Sequence, residues 1–193
     1  AYRTDPDLSE TLVNESLDTM AWLRSKGTRF VPNYGRQSGM VNGKRKFFGR
    51  LPIEVSGGGA GLVQFLDAAT KKAGIEVRYG ARATSLIFDG IRVSGVRVQC
   101  NGALEEIKAK SVVLGCGGYE GNPEMLTRYM GKGALFVRPI CRGGHYNKGE
   151  GIRMALDIGA APCGEFASYH AEPIDPRSGV AEPSVFIFPY GIL

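Results

Sequence analysis

The chain of 193 residues is poor in the features that would announce its chemistry early. No run of 18 apolar residues occurs, so the sequence predicts no membrane-spanning helix. Its first ten residues, AYRTDPDLSE, hold no basic segment followed by an apolar core, and therefore do not read as a secretory leader. They also lack an initiator Met, which raises the expectation of a processed chain or a piece of something longer. Only two histidines are present, and the four cysteines, Cys100, Cys116, Cys141 and Cys163, form no C-x-x-C pair with a histidine at metal spacing. They read as small apolar fillers in a reducing compartment, so a cytoplasmic location and no metal are expected. The net charge is +5, but Lys44, Arg45 and Lys46 form the only dense basic run, without the interleaved aromatics of a nucleic-acid patch. There are no internal repeats and no low-complexity tracts.

What is there is a globular composition, 43% apolar and 22% charged, at the length of one domain or slightly more. Asp5 and Pro6 predict a helix start, Val13, Leu17, Met20 and Ala21 an apolar face, and Gly27 its end. MVNGKRKFF reads as a hairpin around Asn42-Gly43. SGGGAGLVQFLDAATKKAG reads as a second helix with Leu62, Phe65, Leu66 and Ala69 on one face. IEVRY, ATSLIF, IRVSGVRVQ and LEEIKAK follow as strands, the last three forming an antiparallel meander with turns at Asp89-Gly90 and Asn101-Gly102. SVVLG then reads as a buried strand of the parallel type. Asn122-Pro123 starts a short helix, NKGEGIRMALDIGA a further one, EFASYH alternates as a strand does, and SVFIF is a final strand.

The stretch SVVLGCGGYEGNP carries the first chemical hint. An apolar run that ends in Gly115-Cys116-Gly117-Gly118 leaves main-chain atoms open to close approach. A tight turn without a ligand would use the same residues. With its flanks, however, this stretch resembles the flavoprotein family of fumarate reductase and succinate dehydrogenase, and within it the tricarballylate dehydrogenase-like branch. VVLGCGGYEGNPEM is similar to the family's V-V-L-A-T-G-G-F followed by N-x-E-M, and NKGEGIRMALDIGAA to its N-T-G-D-G-I-x-M-A-L-x-x-G-A. DTMAWLRSKGTRF, GRQSG, GKRKFFGR, SGGGAGLVQFL and GEFASYHA add to the likeness in the same order.

The resemblance implies an α/β fold of the glutathione-reductase-like FAD type with a β-meander. Residues 1–168 would be the central part of the FAD-binding domain and residues 169–193 the start of a substrate cap domain. It implies FAD as cofactor, approached by Ala83, Gly115, Cys116, Gly117, Gly149 and Glu150. His170 would hold a carboxylate of a small substrate, in redox chemistry at a C–C bond next to that carboxylate, with tricarballylate- or fumarate-like compounds the favoured class. Cys116 replaces the family's Thr, and Glu150 its Asp. No G-x-G-x-x-G follows a first strand, and the family's proton-delivering Arg has no counterpart in these residues. The chain therefore reads as an internal fragment: FAD binding by it alone should be weak or absent, no catalytic residue is assigned, and the isolated chain is expected to be inactive. Self-association through an incomplete sheet is a further expectation. Two other readings remain open, a non-catalytic flavoprotein module and a ketosteroid dehydrogenase-like enzyme of the same fold.

Overall fold

The computed structural model describes residues 5–34, 38–47, 52–139 and 142–168. It divides into two compact units, with the boundary between Arg78 and Tyr79.

In the first unit, helix α1 (Pro6–Ser25) begins as the sequence predicts: the Asp5 carboxylate accepts hydrogen bonds from the Asp7 and Leu8 amides at 3.0 and 3.1 Å, with Pro6 in the first turn. Lys26 caps its end and Gly27 turns the chain at φ +103°. The apolar face expected to be inward is not: α1 has no buried residue, and Leu17 is 76% exposed. Strand β1 (Phe30–Pro32) pairs antiparallel with β4 (Ile53–Val55), with Phe30 opposite Val55. Between them lies a hairpin of β2 (Ser38–Val41) and β3 (Lys44–Phe47). Its turn residues, Asn42 at φ 51° and Gly43 at φ 73°, are both left-handed, as a tight right-twisted hairpin requires. Helix α2 (Gly58–Lys72) packs on β4, and the Cβ-less Gly61 lies against the Ser56 carbonyl.

Thr28, between α1 and β1, is only 2% exposed, and its hydroxyl finds no hydrogen-bond partner among the described residues. A buried donor left unmatched costs roughly 1–3 kcal/mol. Thr28→Val keeps the branched shape and removes the hydroxyl. It is expected to raise stability by about 1 kcal/mol, read as a higher urea midpoint at unchanged m-value.

The second unit is built on the expected meander. Strands β5 (Ala81–Phe88), β6 (Val93–Cys100) and β7 (Ala103–Lys108) form one antiparallel sheet in the order β5-β6-β7. Asn101 and Gly102 turn β6 into β7 at φ 51° and 85°. At the other turn the Asp89 carboxylate accepts from the Ile91 and Arg92 amides at 2.9 and 2.7 Å, and these two bonds hold its pKa below the usual carboxylate range. Arg97 of β6 pairs across the sheet with Glu106 of β7, which also pairs with Lys108 on its own strand. The apolar core, Leu86, Val98, Leu126, Ala134 and Met154, lies in this unit.

Three expected strands differ. Residues 75–79 (IEVRY) form no strand: Ile75 and Val77 face solvent and pair with no ladder. SVVLG is likewise irregular rather than a buried parallel strand, with Val113 92% exposed. β-propensity alone does not make a strand; the ladder needs a neighbour, and every strand pairing among the described residues is antiparallel and engages other segments. The EFAS part of EFASYH is a turn region, and Phe166 is drawn into an aromatic cluster instead. SVFIF and His170 lie outside the described residues.

After the meander come helix α3 (Pro123–Met130), two 3₁₀ turns at Gly131–Phe136 and Arg142–Tyr146, and helix α4 (Glu150–Asp157), which packs against β5. Ile152, Ala155 and Leu156 are half-buried on α4, while the fully buried side chain is Met154.

Candidate functional site

Two loops, residues 115–122 and 143–149, are knitted together and deliver α4 to the end of the first. The Gly121 amide donates to the Asn147 carbonyl at 2.9 Å, and the Gly149 amide to the Gly118 carbonyl at 3.1 Å. The Asn147 side-chain amide donates to Glu120 Oε1, and Lys148 Nζ to the Gly121 carbonyl. Gly121 is buried where a Cβ would meet the carbonyl oxygens of Gly144 and His145 at 2.5 and 2.6 Å, so only glycine permits this approach.

Asn122 works at both ends of its amide. Oδ1 caps α3 by accepting from the Glu124 and Met125 amides at 3.1 and 3.3 Å, and Nδ2 donates to the Lys148 carbonyl at 2.8 Å. Asn122→Asp keeps the capping oxygen and loses the donor; Asn122→Ala loses both. Expected losses are about 1 kcal/mol for the Ala variant from the cap, plus a further ~1 kcal/mol for the unpaired carbonyl. The Asp variant keeps the cap and should lose only the second ~1 kcal/mol, and chemical denaturation of the two variants separates them.

Five of the seven residues that the sequence singled out meet in this region. Gly115 is exposed, and a Cβ there would meet nothing within 4 Å. Cys116 has an exposed, unpaired thiol, yet a Cβ on Gly151 would lie 3.1 Å from its sulfur, so the bend packs closely on the first turn of α4. Gly117, at φ +72°, faces the Asn147 amide group. Gly149, at φ +79°, is buried beneath Met125 and Tyr119 and caps α4 without a side chain. Glu150, the first residue of α4, pairs with Arg82 at 3.3 Å. The sixth, Ala83, is half-buried on β5 opposite Val98, next to the paired Arg82 and at a register shift in the β5–β6 ladder. The seventh, His170, is not among the described residues. His145 is exposed on its 3₁₀ turn.

Sequence reasoning missed Arg82, Glu120, Gly121 and Asn147. Glu120, Gly121 and Asn147 stand inside quoted motifs and Arg82 next to one, but their roles depend on partners 26 to 68 residues away, which no local spacing reveals. It also missed the cluster of Tyr119, Tyr129 and Phe166, with ring centroids 4.9–6.2 Å apart. The Tyr119 hydroxyl donates to the Phe166 carbonyl, and burial pushes its pKa up.

The arrangement is an open, side-chain-poor bend, packed on one side against a helix start and bare on the other. The FAD binding domain family matches residues 1–180. The chain belongs to that family. FAD is the family's cofactor, and the bend fits such a group: main chain is accessible at Gly115, where a Cβ would meet nothing within 4 Å. The chain is similar to a vinyl phenol reductase of Lactiplantibacillus plantarum, 27% identical over 184 residues, covering 91% of this chain and 35% of the relative. It is also similar to a probable fumarate reductase of Shewanella frigidimarina, 30% identical over 166 residues, covering 82% of this chain and 26% of the relative. Among solved structures, a 3-ketosteroid-Δ4-(5α)-dehydrogenase from Rhodococcus jostii superposes with a TM-score of 0.57 at 21% identity, over 77% of this chain and 36% of that one, a likeness of fold. The chain thus spans between about a quarter and a little over a third of the length of these proteins.

Proposed function

We propose that this chain is the central part of the FAD-binding domain of an FAD-dependent oxidoreductase, of glutathione-reductase-like fold, acting at a C–C bond next to a carboxylate. Residues 1–168 belong to the flavin domain and residues 169–193 begin a cap over the substrate. The observation that carries the reading is the convergence of the bare Gly115–Gly117 bend with the Gly149-Glu150 start of α4. The fumarate reductase relative supports the substrate class.

In this reading the main chain at Gly115, Cys116 and Gly117 would hold the cofactor, with Gly149 and Glu150 toward its flavin and Ala83 on β5 toward its adenine. FAD supplies the two-electron acceptor or donor. The protein's part is orientation and charge. Gly149 and Gly151 let Met125 and Cys116 pack directly on the α4 entry, and the loop knit around Gly121 fixes that entry in place. His170 holds a substrate carboxylate through an N–H donor. The proton donor and the G-x-G-x-x-G loop that would grip the diphosphate lie outside these residues.

The test is a titration with FAD followed by flavin fluorescence, on the chain alone and on the protein carrying a G-x-G-x-x-G segment. The chain alone is expected to bind weakly or not at all, and the longer protein to bind stoichiometrically and reduce fumarate- or tricarballylate-like acids or oxidise their saturated forms. Failure of the longer protein to bind FAD would overturn the cofactor assignment. Turnover of a 3-ketosteroid in place of the acids would overturn the substrate class.

A further inference from the structure

The contact between Arg82 and Glu150 joins two segments that are 68 residues apart in sequence. Along β5, Arg82 and Thr84 are exposed while Ala83 and Ser85 are half-buried, so the guanidinium stands on the solvent side of the strand. Its Nη2 reaches Glu150 Oε1 at 3.3 Å. The two side chains are unequal: Arg82 is 62% exposed and Glu150 only 22%. A pair with one such open partner contributes about 0–1 kcal/mol to folding, too little to be explained as a staple. Its effect on charge is larger. Glu150 is the only acid in the first turn of α4, at the entry that packs against the Cys116 bend. FAD is anionic, and an uncompensated carboxylate bordering its binding surface would oppose its approach through the longer-range field, even with the diphosphate gripped elsewhere. With Arg82 in place, the Glu150 carboxylate has a counter-charge at 3.3 Å.

We propose that Arg82 is a positioning residue for the cofactor site, acting through Glu150: it holds and neutralises that carboxylate so that an anionic dinucleotide can lie against the α4 entry. This rests on the FAD reading above. It makes Glu150 a residue whose charge must be masked, and it assigns Arg82 no direct contact with the cofactor.

The experiment is a double-mutant cycle on FAD affinity, in the FAD-binding form of the protein, with Arg82→Met, Glu150→Gln and both together. Arg82→Met should weaken FAD about tenfold at low salt, and this loss should shrink as salt rises. If Arg82 acts only through Glu150, the double variant should bind FAD more tightly than Arg82→Met and within about threefold of Glu150→Gln. Riboflavin, which lacks the phosphates, should bind the Arg82→Met variant and the unsubstituted protein equally. Additive losses, or a double variant as weak as Arg82→Met, would overturn the proposal and point to direct contact between Arg82 and the cofactor. Equal weakening of FAD and riboflavin would also overturn it, in favour of a structural role. An unsubstituted protein that binds no FAD removes the underlying reading itself, which the titration of the preceding subsection detects separately.

Discussion

Gly95→Ala is expected to cost the second unit about 3 kcal/mol or more, enough to unfold a marginally stable sheet. Gly95 is buried in the central strand β6, opposite Lys108 of β7 and Ile87 of β5. A Cβ built there would overlap the Ile107 carbonyl oxygen and come within 3.0 Å of the Lys108 Cα. Both obstacles are backbone, so no side-chain rotation relieves them, and β7 must move away with its ladder. The backbone at φ +155° adds to the cost. Gly90→Ala is the control: φ is also positive, at +99°, but a Cβ there would meet no atom within 4 Å. It should cost only the conformational part, about 1 kcal/mol. Urea unfolding followed by far-ultraviolet circular dichroism compares the two. Similar midpoints would show that β7 yields easily and that the close approach is unimportant.

Gly121→Ala is expected to have the larger consequence for the site. Its Cβ would collide with the carbonyl oxygens of Gly144 and His145, and the residue also donates to Asn147 and accepts from Lys148. Overpacking of this kind against main chain costs typically ~1–3 kcal/mol. The damage falls on the knit that seats α4, while the meander, whose ladder lies elsewhere, should persist. FAD affinity should fall by about tenfold or more in the FAD-binding form, at near-native strand content, because about 1.4 kcal/mol of lost preorganisation already amounts to a factor of ten. Unchanged affinity would separate the loop knit from cofactor binding.

Much of the fold was legible because it is local. Asp5 and Asn122 as caps, Asn42-Gly43 and Asn101-Gly102 as hairpin turns, and the three meander strands each depend on residues a few positions apart. SVVLG and IEVRY misled for the converse reason. Their β-branched residues signal a strand, but a strand exists only with a partner, and the sequence window cannot contain one. The α1 face failed similarly: Leu17 recurs at helical spacing with Val13, Met20 and Ala21, and periodicity says which residues share a face without saying what covers it. At the site, Gly115–Gly117 and Gly149-Glu150 were marked by their glycines and by likeness to a family. Arg82 was not, since its significance arises only when β5 is set beside α4.

That long-range character has a consequence for the order of events during synthesis. The meander's strands are joined by short turns and can close as soon as residue 108 has emerged from the ribosome. The bend at 115–118 gains its shape only once residues 144–151 arrive to receive it. A nascent chain therefore carries a finished sheet and an unformed 115–118 bend for an interval of some forty residues.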